Sequence, residues 1–92
     1  MEITLEDVKD YLRILDNSED ILLTQLIDSA VEFIAGETGL ESSIVRTQSD
    51  LIIAVQIYVS DFYWNRDYQT STKYNNKLVD RIIENNRTNF VK

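Results

Sequence analysis

A chain of 92 residues has room for one domain and one modest core, because it can bury only about 60–65% of its extended surface. Sixteen acidic side chains against nine basic ones give a formal charge of −7, which argues against nucleic-acid binding through a general basic surface. Cys and His are both absent, which removes disulfides, thiolate zinc sites, cysteine nucleophiles and the usual general base near neutral pH.

With those groups go most enzyme classes, and no cofactor is expected. The start, MEITLEDVKDYL, lacks the basic and apolar regions of a signal peptide. The longest apolar-rich window, Leu51 to Trp64, falls short of the about 20 residues a membrane span needs. The expectation is a soluble, non-exported protein with no membrane partner. Residues 1–46 hold eleven acids and three bases, whereas residues 47–92 hold five and six. That asymmetry fits either head-to-tail association or a simply solvated acidic face.

Apolar residues recur at helical spacing throughout, so the chain reads as all-α. A first helix is predicted from Leu5 to about Arg13. Thr4 is its N-cap, Asp7 its capping-box partner, and Ile3 with Val8 its hydrophobic staple. Leu5, Val8 and Leu12 make its apolar stripe. Asp16-Asn17-Ser18 forms a turn and cap, and Glu19 and Asp20 open a second helix at the positive end of its dipole. That helix runs to about Thr38, with Leu23, Leu26, Ile27, Ala30, Val31 and Ile34 inward. Gln25, Asp28, Glu32 and Glu37 face water, and Gly39 fits the left-handed position that ends many helices. Gly36, inside the last turn, is expected to permit a close helix approach.

Leu40 to Arg46 is a short connection with room for one helical turn. Thr47 or Ser49 then caps a third helix reaching about Asp67. Eleven of the fourteen residues from Leu51 to Trp64 are apolar or aromatic, so nearly every side of this helix needs cover. Either its own chain wraps it, or a neighbouring subunit completes the cover. Tyr68 to Tyr74 reads as a polar loop. Asn75 or Asn76 caps a last helix with Leu78, Val79, Ile82 and Ile83 as its apolar face. Arg81 and Arg87 take its polar sides, and Asn85, Asn86 and Asn89 suggest fraying. The fold expected is a single domain over residues 1–92: a small bundle of about four helices with a long central apolar helix.

Carboxylates pair at Glu6 with Asp10, Glu19 with Asp20, and Asp28 with Glu32. Without a shaped calcium loop they read as solvated surface acids, and no metal is expected. No glycine-rich phosphate cradle and no catalytic triad can be assembled. The most distinctive group is aromatic: Tyr58, Phe62, Tyr63, Trp64 and Tyr68, with Arg66 among them. Such groups mark protein–protein hot spots, but 58 and 62 also follow plain helix periodicity and suit core packing. With Tyr74 and the tail residue Phe90 they form the candidate interface set.

Three segments in order carry a resemblance. VKDYLRI spans Val8–Ile14, and SEDILLTQLIDSAVEFI spans Ser18–Ile34 with Thr38-Gly39 just after it. The apolar helix then ends in YWNR at Tyr63–Arg66. In this order and spacing the chain resembles the head–tail connector proteins of tailed phages and prophages, also described as DNA-packaging-like proteins, and YWNR is similar to the family's Tyr-x-Asn-Arg. The likeness covers about the first three quarters of the chain. The end departs from it, because KLVDRIIENNRTNFVK is longer and richer in Asn than the short apolar segment usual there. The resemblance implies a structural virion protein, not an enzyme. It implies a homo-oligomeric ring between the portal protein and the tail or head-completion proteins, assembled in the host cytoplasm. DNA would pass through the ring without specific binding. The alternative raised by the acids is a small DNA-mimic inhibitor of a DNA-handling enzyme.

Overall fold

The computed structural model describes residues 2–65, 74 and 76–87. Among them five helices follow one another: α1 (Leu5–Leu12), α2 (Asp20–Thr38), α3 (Ser42–Val45), α4 (Ser49–Trp64) and α5 (Lys77–Asn86). The described residues contain no strand, so the all-α prediction holds. Arg66, Tyr68 and Phe90 of the candidate interface, and most of the polar loop, lie outside the described residues.

Helix α1 starts as its sequence dictates. Thr4 Oγ1 accepts from the Asp7 N–H at 3.1 Å, and Asp7 Oδ2 accepts from the Thr4 N–H at 3.0 Å. Both staple residues are buried, Ile3 and Val8 alike. The helix stops because Arg13 takes a left-handed conformation, φ 62°, where its N–H donates to the Asp10 carbonyl. Helix α2 ends at Gly39, φ 80°, whose N–H donates to the Ala35 carbonyl at 2.9 Å. Its six predicted inward residues are all buried, and Gln25, Asp28, Glu32 and Glu37 are exposed.

α2 and α4 pack most extensively on each other. They run antiparallel, because the Tyr63 hydroxyl near the end of α4 donates to the Glu19 carboxylate just before α2. α1 and α5 each rest against both of these helices. The N-terminal segment is tied down by Ile3 N–H donating to the Arg46 carbonyl at 2.8 Å. One apolar core joins all five helices, centred on Leu23, Ile34, Leu51, Val55 and Val59.

Three expectations change, and one open choice is decided. Neither Thr47 nor Ser49 caps α4: Gln48 holds the cap position and no side chain bonds the first turn. α4 ends at Trp64, with Asn65 already non-helical at φ −124°, ψ 86°, and at 16 residues it is shorter than the 19-residue α2. Its apolar surface is mostly covered by its own chain. Leu51, Ala54, Val55, Tyr58 and Val59 are buried, and of its large apolar side chains Ile53 and Trp64 stay exposed. Gly36 lies at no close approach, since a methyl group added there would meet nothing within 4 Å.

Candidate interaction surface

Tyr58 and Phe62 sit one turn apart on α4 and stack at 4.4 Å between ring centroids. Phe33 of α2 meets Tyr58 at 5.4 Å, and Tyr74 reaches Phe33, Tyr58 and Phe62 at 5.7, 4.8 and 5.3 Å. Ring pairs at such separations contribute about 0.5–1.5 kcal/mol each beyond the area they bury. Tyr58 is buried here, and that burial raises its hydroxyl pKa above the usual 10.0. Asp61 Oδ2 accepts from the Tyr74 hydroxyl and from Asn76 Nδ2, both at 2.8 Å. Asn76 in turn accepts from the N–H groups of Leu78 and Val79 and so starts α5. The aromatic cluster and the cap are therefore one device that fixes α5 against α4.

The remaining predicted aromatics differ. Tyr63 packs edge-on against Trp64 at 4.8 Å and donates to Glu19. Trp64 keeps 67% of its surface in water. It has company. Leu15 is 98% exposed, Ile21 77% and Leu78 54%. The bond from Tyr63 to Glu19 brings the end of α4 to the start of α2. Lys9 brings the end of α1 to the same place, with Nζ 2.6 Å from Asn17 Oδ1 and 2.9 Å from Asp20 Oδ1. Asp61 brings the start of α5 there too. The four most exposed large apolar side chains thus lie toward one end of the bundle, on different sides of it, with a shallow depression over Asp20, Ile21, Thr24 and Gln25.

The opposite end is polar and pinned. Asn86 Nδ2 donates to Asp50 Oδ2 at 2.7 Å and to the Ile82 carbonyl at 2.9 Å, while Gln48 Nε2 donates to Asp50 and Asn86. These bonds, the Asn86 amide foremost and then Gln48 with nearby backbone N–H groups, hold the Asp50 carboxyl below its usual 3.8, against the opposing pull of burial. Arg87 Nε donates to the Glu37 carbonyl at 3.0 Å. Asn86, expected to fray, instead staples α5 to α4.

Several of these residues escape sequence reasoning. Lys9 looks like any surface lysine, yet it is buried. Leu78 fits the apolar face of α5 but lies outside the core. Leu15 and Ile21 sit in and after a turn, where periodicity carries little information. Phe33 could have been found, because it follows Leu26 and Ala30 at helical spacing.

Among the described residues no group of three or more acids could hold a metal ion, and no helix is long and apolar enough to cross a membrane. What remains at that end is exposed apolar surface. The family model described as phage gp6-like head-tail connector protein matches residues 2–88. The chain belongs to that family. Head–tail connectors are structural components of phage particles, so the apolar end belongs to a phage structural connector rather than to an enzyme. The match also takes in α5 and residue 87, beyond the three quarters of the chain where the resemblance was first visible. Comparisons with curated proteins and with solved structures gave no match for this connector.

Proposed function

We propose that this connector is one subunit of a homo-oligomeric ring that sits between the portal protein and the tail or head-completion proteins, and that DNA passes through the ring. The match over residues 2–88 carries the reading. Two physical features support it. A chain of net charge −7 leaves DNA free to slide, because holding DNA requires clustered Lys and Arg on its phosphates. The exposed apolar end is a protein-binding surface on a chain whose own core is already closed. Assembly takes place in the host cytoplasm, on a portal that gathers weakly interacting subunits at high local concentration.

Less supports an acidic DNA mimic. Such an inhibitor presents a row of free carboxylates, yet Asp28 is paired with Arg46 at 2.8 Å and Asp20 with Lys9 at 2.9 Å. The deciding experiment is negative-stain imaging and mass photometry of the chain with and without its cognate portal. Ring-shaped particles, free or seated on the portal, are expected. A chain that stays monomeric on the portal, while heads lacking it still join tails, would reject the proposal.

A further inference from the structure

α1 and α5 both rest on α2 and α4, and any contact between the two of them is slight. α1 ends beside the start of α2, and α5 begins beside the end of α4, which is the same level of the antiparallel pair. Two helices at one level, each packed on both members of the same pair and barely on one another, lie on opposite flanks of that pair.

Each flank carries an unpartnered apolar side chain within a charged rim, and the rims are opposite in sign. At the α1–α2 corner Leu15 and Ile21 are exposed. Asp10 and Asp16 are exposed beside them, with no ion pair to any described residue, and Arg13 is the one exposed base. On α5, Leu78 is exposed between Lys77 and Arg81, neither of which has an ion pair among the described residues. The acids of α5 lie elsewhere: Asp80 points away from Leu78 by the helical rotation, and Glu84 is engaged by Arg87 at 2.8 Å.

We infer that these two flanks are the two halves of one subunit contact: the α1–α2 corner of one copy receives the outer face of α5 from the next. The inference rests on the ring reading above and names the surfaces that would build it. A contact between two different patches is heterologous, and heterologous contacts close into rings when the rotation permits. Here both patches stand at the same level along the bundle, so successive copies need little rise along the axis. The occupant is a second copy because the complementary charge is already present on this chain: the patch with acids around its apolar centre faces away from the patch with bases around its own. Trp64, at the bundle end between the flanks, is left open for a different protein.

A charge exchange tests this. One variant carries Lys77→Glu with Arg81→Glu, a second carries Asp10→Lys with Asp16→Lys, and a third carries all four. All the sites are exposed, and only Asp16 gives up hydrogen bonds, those from the Ser18 N–H and hydroxyl, so circular dichroism should match the parent chain and the melting temperature should fall only slightly. Each double variant alone should lose about tenfold or more of its assembled particles on the portal, because like charges then face each other. The fourfold variant, and an equal mixture of the two double variants, should recover assembly. Double variants that assemble like the parent, or a fourfold variant that fails while folded, would overturn the inference and leave the ring reading standing. A parent chain that forms no particles would instead strike the ring reading itself. Leu78→Ser gives an independent check through apolar contact, with the same loss expected and parent-level assembly counting against the inference.

Discussion

Gly36 lies in the last turn of α2, exposed, with open space where a side chain would go. Glycine in a helix interior is less favourable than alanine by roughly 0.5–1 kcal/mol, for reasons of backbone entropy. Gly36→Ala should therefore stabilise the chain by about that amount, and chemical denaturation will read it; destabilisation would mean that the added methyl group meets a neighbour within the chain. Lys9 argues the other way. Its ammonium is buried, bonded to Asn17 and paired with Asp20, although Asp20 Oδ1 lies out of line for a hydrogen bond. Losing one partner of a fully buried pair costs about 3–5 kcal/mol. The Asp20 side chain is 33% exposed, and water takes up part of that loss. Lys9→Ala should cost roughly 2 kcal/mol, measured the same way, and a neutral result would mean that Asp20 is fully solvated.

At the scale of elements, the short α5 is held at both ends by carboxylates of α4. Asp61 fixes its start through Tyr74 and Asn76, and Asp50 fixes its end through Asn86. A folded-state pKa below the unfolded 3.8 means that Asp50 contributes stability above that value and loses it as pH falls through the lower, folded value. Asp50→Asn should thus be less stable than the parent at neutral pH, with the gap closing below about pH 3.8 as the parent's carboxylate takes up its proton. Stability curves from pH 7 down to pH 2 decide it; a gap that stays constant would show that Asp50 acts through shape rather than charge. Much of each element was legible beforehand. The Thr4–Asp7 box, the Gly39 stop and the Asn76 cap act within a few residues of themselves, so the local pattern suffices to find them.

For the whole molecule, the question is how a small closed core acquires a role in assembly. Trp64 is the clearest case. Because it is 67% exposed, Trp64→Ala should change stability by less than about 1 kcal/mol, far from the ~3–5 kcal/mol that removing a core aromatic costs. Head–tail joining in a complementation assay should fall sharply if the apolar end carries a partner. Normal joining would remove Trp64 from the contact, and a large loss of stability would mean that it is covered in solution. Tyr58, Phe62 and Tyr74 invite no such test, since they hold α2, α4 and α5 together and their removal would unfold the platform before reaching any interface.

The amino-acid sequence by itself determined the all-α class, the positions of the main helices, the inward face of α2 and, through three ordered segments, the connector family. Those features are encoded over one or two helical turns, or by the order of segments, and neither needs a partner from far along the chain. Tertiary structure alone decided that α4 is largely sheltered by its own neighbours, that Lys9 is inside and Leu78 outside, and that Asn86 is a staple rather than a frayed end. Periodicity states which side of a helix is apolar, but cover and pairing depend on which distant element happens to lie there.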